Sequence, residues 1–183
     1  MPDYKDALTL FHGWTETDSL KRHAYAVEAG MAFYAELFGE DVQTWRITGL
    51  LHDMDYEKHP SQEEHPFIGV ARLRELGYPA EVTDAILGHA TYSGVARETK
   101  LAKTLFAVDE LAGFITAIGY VRPNGLQDLK VKSIKKKLKD KRFAAAVNRG
   151  DIIEGARELD IEMGDHIANV AAGMAREAER LGF

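Results

Sequence analysis

Apolar residues recur along this chain at three- and four-residue intervals, and strict apolar–polar alternation is almost absent, so the pattern predicts helices and no sheet. A short first helix covers about residues 4–12. A long second helix, capped by Asp18 or Ser19, runs to Phe38 and stops at Gly39. Asp41 opens a third helix that ends near His52 and Asp53. After a polar loop broken by Pro60, Pro66 begins a fourth helix to Leu76, with Gly77 as its stop, and Pro79 opens a fifth to His89. Residues 91–98 read as a loop, Thr99 to Ile118 as a long sixth helix, and 122–128 as a turn-rich break. A lysine-rich helix within 130–142, a short helix over FAAAVN, and helices near 151–158 and 162–181 complete the chain. The expectation is an all-α helical bundle forming one domain over residues 1–183. Its core spans about 19–119, and a small helical C-terminal subdomain spans about 128–183.

Several polar residues fall on the apolar faces of these helices. In the second, His23 shares a face with Leu20, Ala24, Val27, Met31, Tyr34 and Phe38. In the third, His52 continues the stripe Val42, Trp45 and Gly49. In the fifth, Val82, Ala85 and Ile86 lead to His89. The sixth buries Leu101, Leu105, Val108, Ala112 and Ile115, and Asp109 lies four residues after Leu105. A carboxylate in such surroundings must be neutralised, paired or metal-bound, because burying it alone costs roughly several kcal/mol. A single histidine on an apolar face is ordinarily a hydrogen-bonded core residue, and a lone buried aspartate a capping or salt-bridge residue. Four such residues on four stripes suggest a shared partner, but the faces alone leave a metal site and satisfied core groups both open.

Composition narrows the chemistry further. The 183 residues include no cysteine, which excludes disulfides, thiolate-bound zinc and a cysteine nucleophile, and fits a reducing compartment. No basic start followed by an apolar run marks a signal peptide, and no apolar stretch approaches the roughly 18 residues of a membrane helix, so a cytoplasmic location is expected. The net charge of −6 argues against a general polyanion binder, although Lys130 to Arg142 (KVKSIKKKLKDKR) is strongly basic.

The order His23, then His52–Asp53, then Asp109, set in LKRHAYAVEAGMAFYAEL, ITGLLHDMDY and LAKTLFAVDELAGFI, resembles the H…HD…D signature of the HD superfamily. The resemblance covers residues 19–119. More loosely, the segment VRPNGLQDLKVKSIKKKLKDKRFAAAVNR is similar to the C-terminal half of some bacterial and archaeal HD proteins. It implies that His23, His52, Asp53 and Asp109 hold a divalent metal (Mn, Fe, Co, Ni, Zn or Mg). His65 and His89 resemble the extra ligands of dinuclear members, in which Asp53 would bridge two ions; His59, in a polar loop, is a competing candidate. Dinuclear relatives often follow His-Asp with a Gly-Lys pair near the substrate. This chain has Met54, Asp55 and Tyr56 there, which puts the known substrate specificities in doubt. Gly77-Tyr78-Pro79 is similar to a triplet of the cyclic-dinucleotide phosphodiesterase group, but that group's His-His-Glu is missing.

The implied activity is a metal-dependent phosphohydrolase or phosphodiesterase acting on a small phosphorylated substrate, with a nucleotide among the candidates. A metal-bound water supplies hydroxide at neutral pH, and the metal offsets charge on the phosphate oxygens. Asp53, Asp55 and Glu57 are the candidate catalytic carboxylates, the last two also readable as plain loop acids. Lys103, Arg122, Lys132 and Lys135 are candidate substrate contacts, or else a solvated lysine face. Two other functions stay open: a dinuclear iron oxygenase, and a non-catalytic phosphate-ligand or nucleic-acid binder using the lysine helix. Nucleic acid is disfavoured because no aromatic residues interleave with those lysines. Leu10, Phe11 and Trp14 could cover the core or pair two chains as a homodimer.

Overall fold

One of the two longest helices, Asp18–Phe38 (α2), is the axis of the computed structural model, which describes residues 1–183 as ten α-helices and one 3-10 turn without a strand. The others are α1 (Tyr4–Trp14), α3 (Val42–Leu51), α4 (Phe67–Glu75), α5 (Ala80–His89), α6 (Lys100–Tyr120), α7 (Val131–Leu138), α8 (Arg149–Glu158), α9 (Met163–Arg176) and α10 (Ala178–Leu181). Helices α3, α6 and α9 pack along α2, while α5 and α8 pack on α6. Ile152, Ile167, Val170 and Met174 from the C-terminal helices join Val27, Met31, Leu105 and Val108 in one apolar cluster. No helix is long and apolar enough to cross a membrane.

Local chemistry explains most boundaries. Gly39 takes a left-handed φ of 69° and its N–H closes on the last carbonyls of α2. Asp41 caps α3 by accepting the Thr44 N–H at 2.7 Å. Pro66 and Pro79 sit one residue outside their helices, as caps rather than first residues. Neither Asp18 nor Ser19 caps α2. Thr17 holds that position, and Glu57 from the loop after α3 accepts the Glu16 and Thr17 N–H groups instead.

Two expected helices differ for identifiable reasons. The FAAAVN segment is a run of turns, with Ala144 at φ 44°. Its carbonyls converge on one guanidinium: Arg149 donates to the oxygens of Asp140, Phe143, Ala144 and Val147. A helix there would need those acceptors for itself. The expected helix over 162–181 breaks at Glu177, and the turned-back α10 carries Arg180 to Glu28. Glu28 is almost wholly buried on α2 and is also paired with Arg46 of α3 at 2.6 Å. Removing one partner of such a buried pair costs about 3–5 kcal/mol, so Glu28 ties α2, α3 and α10 together.

Two glycines set how closely the axis is approached. A Cβ on Gly49 of α3 would stand 2.9 Å from Met31 and 3.0 Å from the Glu28 backbone, and one on Gly30 of α2 would stand 2.6 Å from Val108 of α6. The bare backbone at both positions lets α3 and α6 close on α2. His52 follows Gly49 by three residues, and Asp109 follows Val108 directly, so these contacts place the residues discussed below.

His166 of α9 locks the third contact with the axis. Its Nε2–H donates to the Ala107 carbonyl at 2.9 Å, so Nδ1 accepts from the Tyr34 hydroxyl at 2.6 Å. Burial pushes the Tyr34 hydroxyl up to about 12 and the imidazole down from 6.5 to about 4, against the Ala107 hydrogen bond, which favours the charged form. An unfolded imidazole takes a proton near pH 6.5 while the folded one resists until about 4, so the stability due to neutral His166 is complete above 6.5 and lost as pH falls toward 4. His166→Asn is therefore destabilised at pH 7. The gap to the wild type, read from urea midpoints, narrows by up to about 3 kcal/mol between pH 7 and pH 4.

Candidate metal centre

Five elements deliver six side chains to one hollow. His23 comes from α2, His52 and Asp53 from the end of α3, His65 from the loop before α4, His89 from the last position of α5 and Asp109 from the middle of α6. His23 Nε2 lies 3.0 Å from Asp109 Oδ1 and 3.7 Å from Asp53 Oδ2. His52 Nε2 lies 3.3 Å from Asp53 Oδ2 and 3.5 Å from Asp109 Oδ1. On the other side, His65 Nε2 and His89 Nε2 each stand 3.3 Å from Asp53 Oδ1. The Asp53 carboxylate thus turns one oxygen to His23 and His52, which also meet Asp109, and the other to His65 and His89.

The far nitrogens fix the rings. His52 Nδ1–H donates to the Gly49 carbonyl at 2.8 Å, and His89 Nδ1–H donates to the Ile86 carbonyl. His65 Nδ1–H donates to Asp55 Oδ1 at 2.7 Å, and the other Asp55 oxygen accepts the Gly69 N–H at 2.6 Å. With Nδ1 donating, each Nε2 points into the hollow and offers its lone pair to a cation once its proton is displaced, the arrangement by which a carbonyl or carboxylate orients a metal-ligating imidazole. His52 Nε2 is buried and has no hydrogen-bond partner. An orphaned nitrogen among carboxylate oxygens, in a donor set of histidine and aspartate, fits a divalent cation.

The electrostatics run the same way. Burial alone would lower the His52 pKa, but Asp53 and Asp109 hold the ring well above the ordinary histidine range. Burial likewise opposes ionisation of Asp53 and Asp109, and His52 chiefly holds both well below the ordinary carboxylate range. At His65 the pull of Asp53 and Asp55 outweighs burial and raises the pKa to about 9. Protons on these rings supply the positive charge that the two carboxylates demand, and a divalent cation would displace them.

The hollow opens into a cavity of about 320 Å³. Beyond the ligand candidates its walls include Tyr56, Tyr92, Phe106, Glu110 and Asp151, and no lysine or arginine. The cationic residues singled out from the sequence lie elsewhere. Lys103 does not line the cavity. Arg122 donates to the carbonyls of Gly125 and Gln127 in the turn after α6, Lys132 is exposed, and Lys135 faces Glu162 at 3.3 Å. Two of the candidate catalytic carboxylates are also employed differently. Asp55 is buried with both oxygens engaged, so it orients His65 and has no free oxygen for a substrate. Glu57 serves the N-terminus of α2. His59 pairs with Glu64 at 3.1 Å.

Sequence reasoning missed Tyr92, Glu110 and Asp151. Glu110 adjoins Asp109 and could have been flagged by that adjacency. Asp151 had no signal, because its placement depends on Gly155 one turn later. There a Cβ would stand 2.5 Å from the Ala107 backbone, so only glycine lets α8 lie against α6 and bring Asp151 to the mouth. Burial first, then Asp109, pushes the Glu110 pKa up; burial and Asp109 do the same to Asp151, against the pull of Arg97.

The HD domain family matches residues 20–113, just over half of the chain. The chain belongs to the HD domain family, a superfamily of metal-dependent hydrolases whose domains generally bind divalent metals. No curated protein and no solved structure matches it. The matched span holds all six ligand candidates, whereas α8 and Asp151 lie beyond it.

The Asp55–His65 bond can be tested directly. Asp55→Asn sets an amide N–H or a neutral oxygen against His65, and should weaken metal binding on the His65/His89 side by about 10–100-fold while the His23/His52 side keeps its ion. Calorimetric titration of Mn(II) should show one of two binding steps weakened. Because metal must displace protons, the wild-type affinity should rise with pH from 6 to 8.5, approaching His65's value of about 9.

Proposed function

We propose that this chain is a dinuclear metal-dependent phosphohydrolase acting on a small phosphorylated substrate. The observation that carries the reading is the divided Asp53 carboxylate, with His52 on one oxygen and His65 and His89 on the other, each at 3.3 Å. Separations of this size are those between neighbouring ligands of one ion, since donors about 2.1 Å from a metal at right angles lie about 3.0 Å apart.

His23, His52 and Asp109 would hold one ion and His65 and His89 the other, with Asp53 shared. Ions bound there supply an activated water and neutralise charge on the phosphoryl oxygens. The protein's own groups do the rest. Asp55, Gly49 and Ile86 keep the imidazoles in one orientation, so little reorganisation accompanies reaction. Tyr56 packs edge-on to His65 at 5.2 Å and, with Tyr92, lines the cavity as a partly exposed residue whose hydroxyl would serve as a donor to substrate oxygens. Ala90 and Phe106 cover apolar parts of the wall and limit water.

A second reading, a dinuclear iron oxygenase, draws support from the same six side chains and from the lack of a lysine or arginine on the cavity wall. Metal analysis after purification without chelator, with a phosphate-ester panel and oxygen-consumption assays, separates the two. The phosphohydrolase reading expects about two divalent ions per chain, phosphate release that chelator abolishes, and a loss of at least about 100-fold in Asp53→Asn. Oxygen uptake on iron-loaded protein without phosphate release would move the assignment to the oxygenase. Failure to bind any divalent ion would sink both.

A further inference from the structure

Resting on the phosphohydrolase reading, we infer that the substrate carries a cationic nitrogen, an ammonium or alkylated ammonium group, that docks on Glu110 and Asp151 beside the Tyr56 and Tyr92 rings. The cavity is built to take a ligand: His52 Nε2, buried and unpartnered, stands 3.3–3.5 Å from carboxylate oxygens that line it. What remains is which chemistry its outer wall accepts.

The outer wall is acidic and aromatic. Glu110 and Asp151 are each tethered through one oxygen to Asn148: its backbone N–H donates to Glu110 Oε2 at 3.1 Å, and its side-chain amide donates to Asp151 Oδ2 at 2.8 Å. The two carboxylates are thus held by one residue at the α8 N-terminus, and the other oxygen of each has no protein partner. Arg97, whose charge reaches Asp151, is taken by Glu158 and the Gly88 carbonyl and forms no ion pair with the wall. Tyr56 and Tyr92, each 42% exposed, line the same cavity as these acids. Carboxylates combined with aromatic faces form a setting in which an ammonium group gains both charge-assisted hydrogen bonds and cation–π attraction.

Charge balance makes the same demand. Asp53, Asp109, Glu110 and Asp151 all line the cavity, with no lysine or arginine among them. Two divalent ions would offset these four carboxylates and leave no surplus for a phosphate dianion. A positive group on the substrate itself offsets half of the dianion's charge, and the acids repel substrates whose second group is another anion. Glu110 lies within the matched HD span and Asp151 beyond it, so the preference draws on both the HD portion and the C-terminal extension.

The test is competitive binding to the Mn(II)-loaded full chain, by calorimetry, of phosphoethanolamine, phosphocholine and glycerol 3-phosphate, together with choline alone, with hydrolysis followed separately. The inference expects the two cationic esters to bind about tenfold more tightly than glycerol 3-phosphate. It expects choline to bind measurably, and Asp151→Asn and Glu110→Gln each to cut the preference to about twofold or less with metal content retained. Two variants on different helices guard against one that misfolds. Equal affinities for the three esters, or a preference that survives both substitutions, would overturn it. Carboxylate-dependent choline binding without hydrolysis of any ester would keep the cationic site and remove the phosphohydrolase reading. Ester hydrolysis without amine preference would do the reverse.

Discussion

Two carboxylates and four imidazoles share one hollow, and the surrounding helices must hold them at separations of 3.0–3.7 Å without letting them collapse onto each other. Buried negative charge is tolerable only when positive charge sits beside it, on protonated rings or on metal. That requirement reaches far into the fold. It calls for a bare backbone at Gly30 and Gly49 so that α6 and α3 approach α2, and for a carboxylate at Asp55 behind His65. Gly69 belongs to the same set, since a Cβ there would press into the Asp55 carboxyl group at 2.9 Å. The scaffold therefore carries information about the site well outside the ligating side chains.

Much of this was legible in the sequence, because periodicity reports which way a side chain faces. His23, His52, His89 and Asp109 all continued apolar stripes, and all turn into the hollow. The order and context of these residues then resembled the HD signature, which brought in Asp53 and His65. Residues whose roles depend on distant partners were not legible. Glu28 sits on the buried side of α2 because Arg46 and Arg180, the latter from the far end of the chain, neutralise it. Asp55 and Glu57 looked alike as acids following the doublet. One is drawn inward by His65 and Gly69, the other outward by the backbone of Glu16 and Thr17. The FAAAVN segment has helical composition, and only the demand of Arg149 for its carbonyls turns it into loops.

The lysine helix shows why a charge run is weak evidence for a binding site. Its residues drew attention as phosphate contacts, yet Ile134 is its only buried residue and Lys135 turns to Glu162, so the lysines mainly solvate the outer face of α7. Sites are made by groups that a fold brings together, and here those groups are histidines and acids. Helix α8 is fixed against α6 by the Gly155–Ala107 contact and against the loop after α5 by the Arg97–Glu158 ion pair. The same guanidinium packs over the Phe106 ring with its carbon 3.7 Å from the centroid, and Phe106 is part of the cavity wall. The placement of α8, the shape of the wall and the position of Asp151 are therefore set together. The HD portion of the chain supplies the residues suited to metal, while the helices beyond it supply a further carboxylate to the same cavity wall.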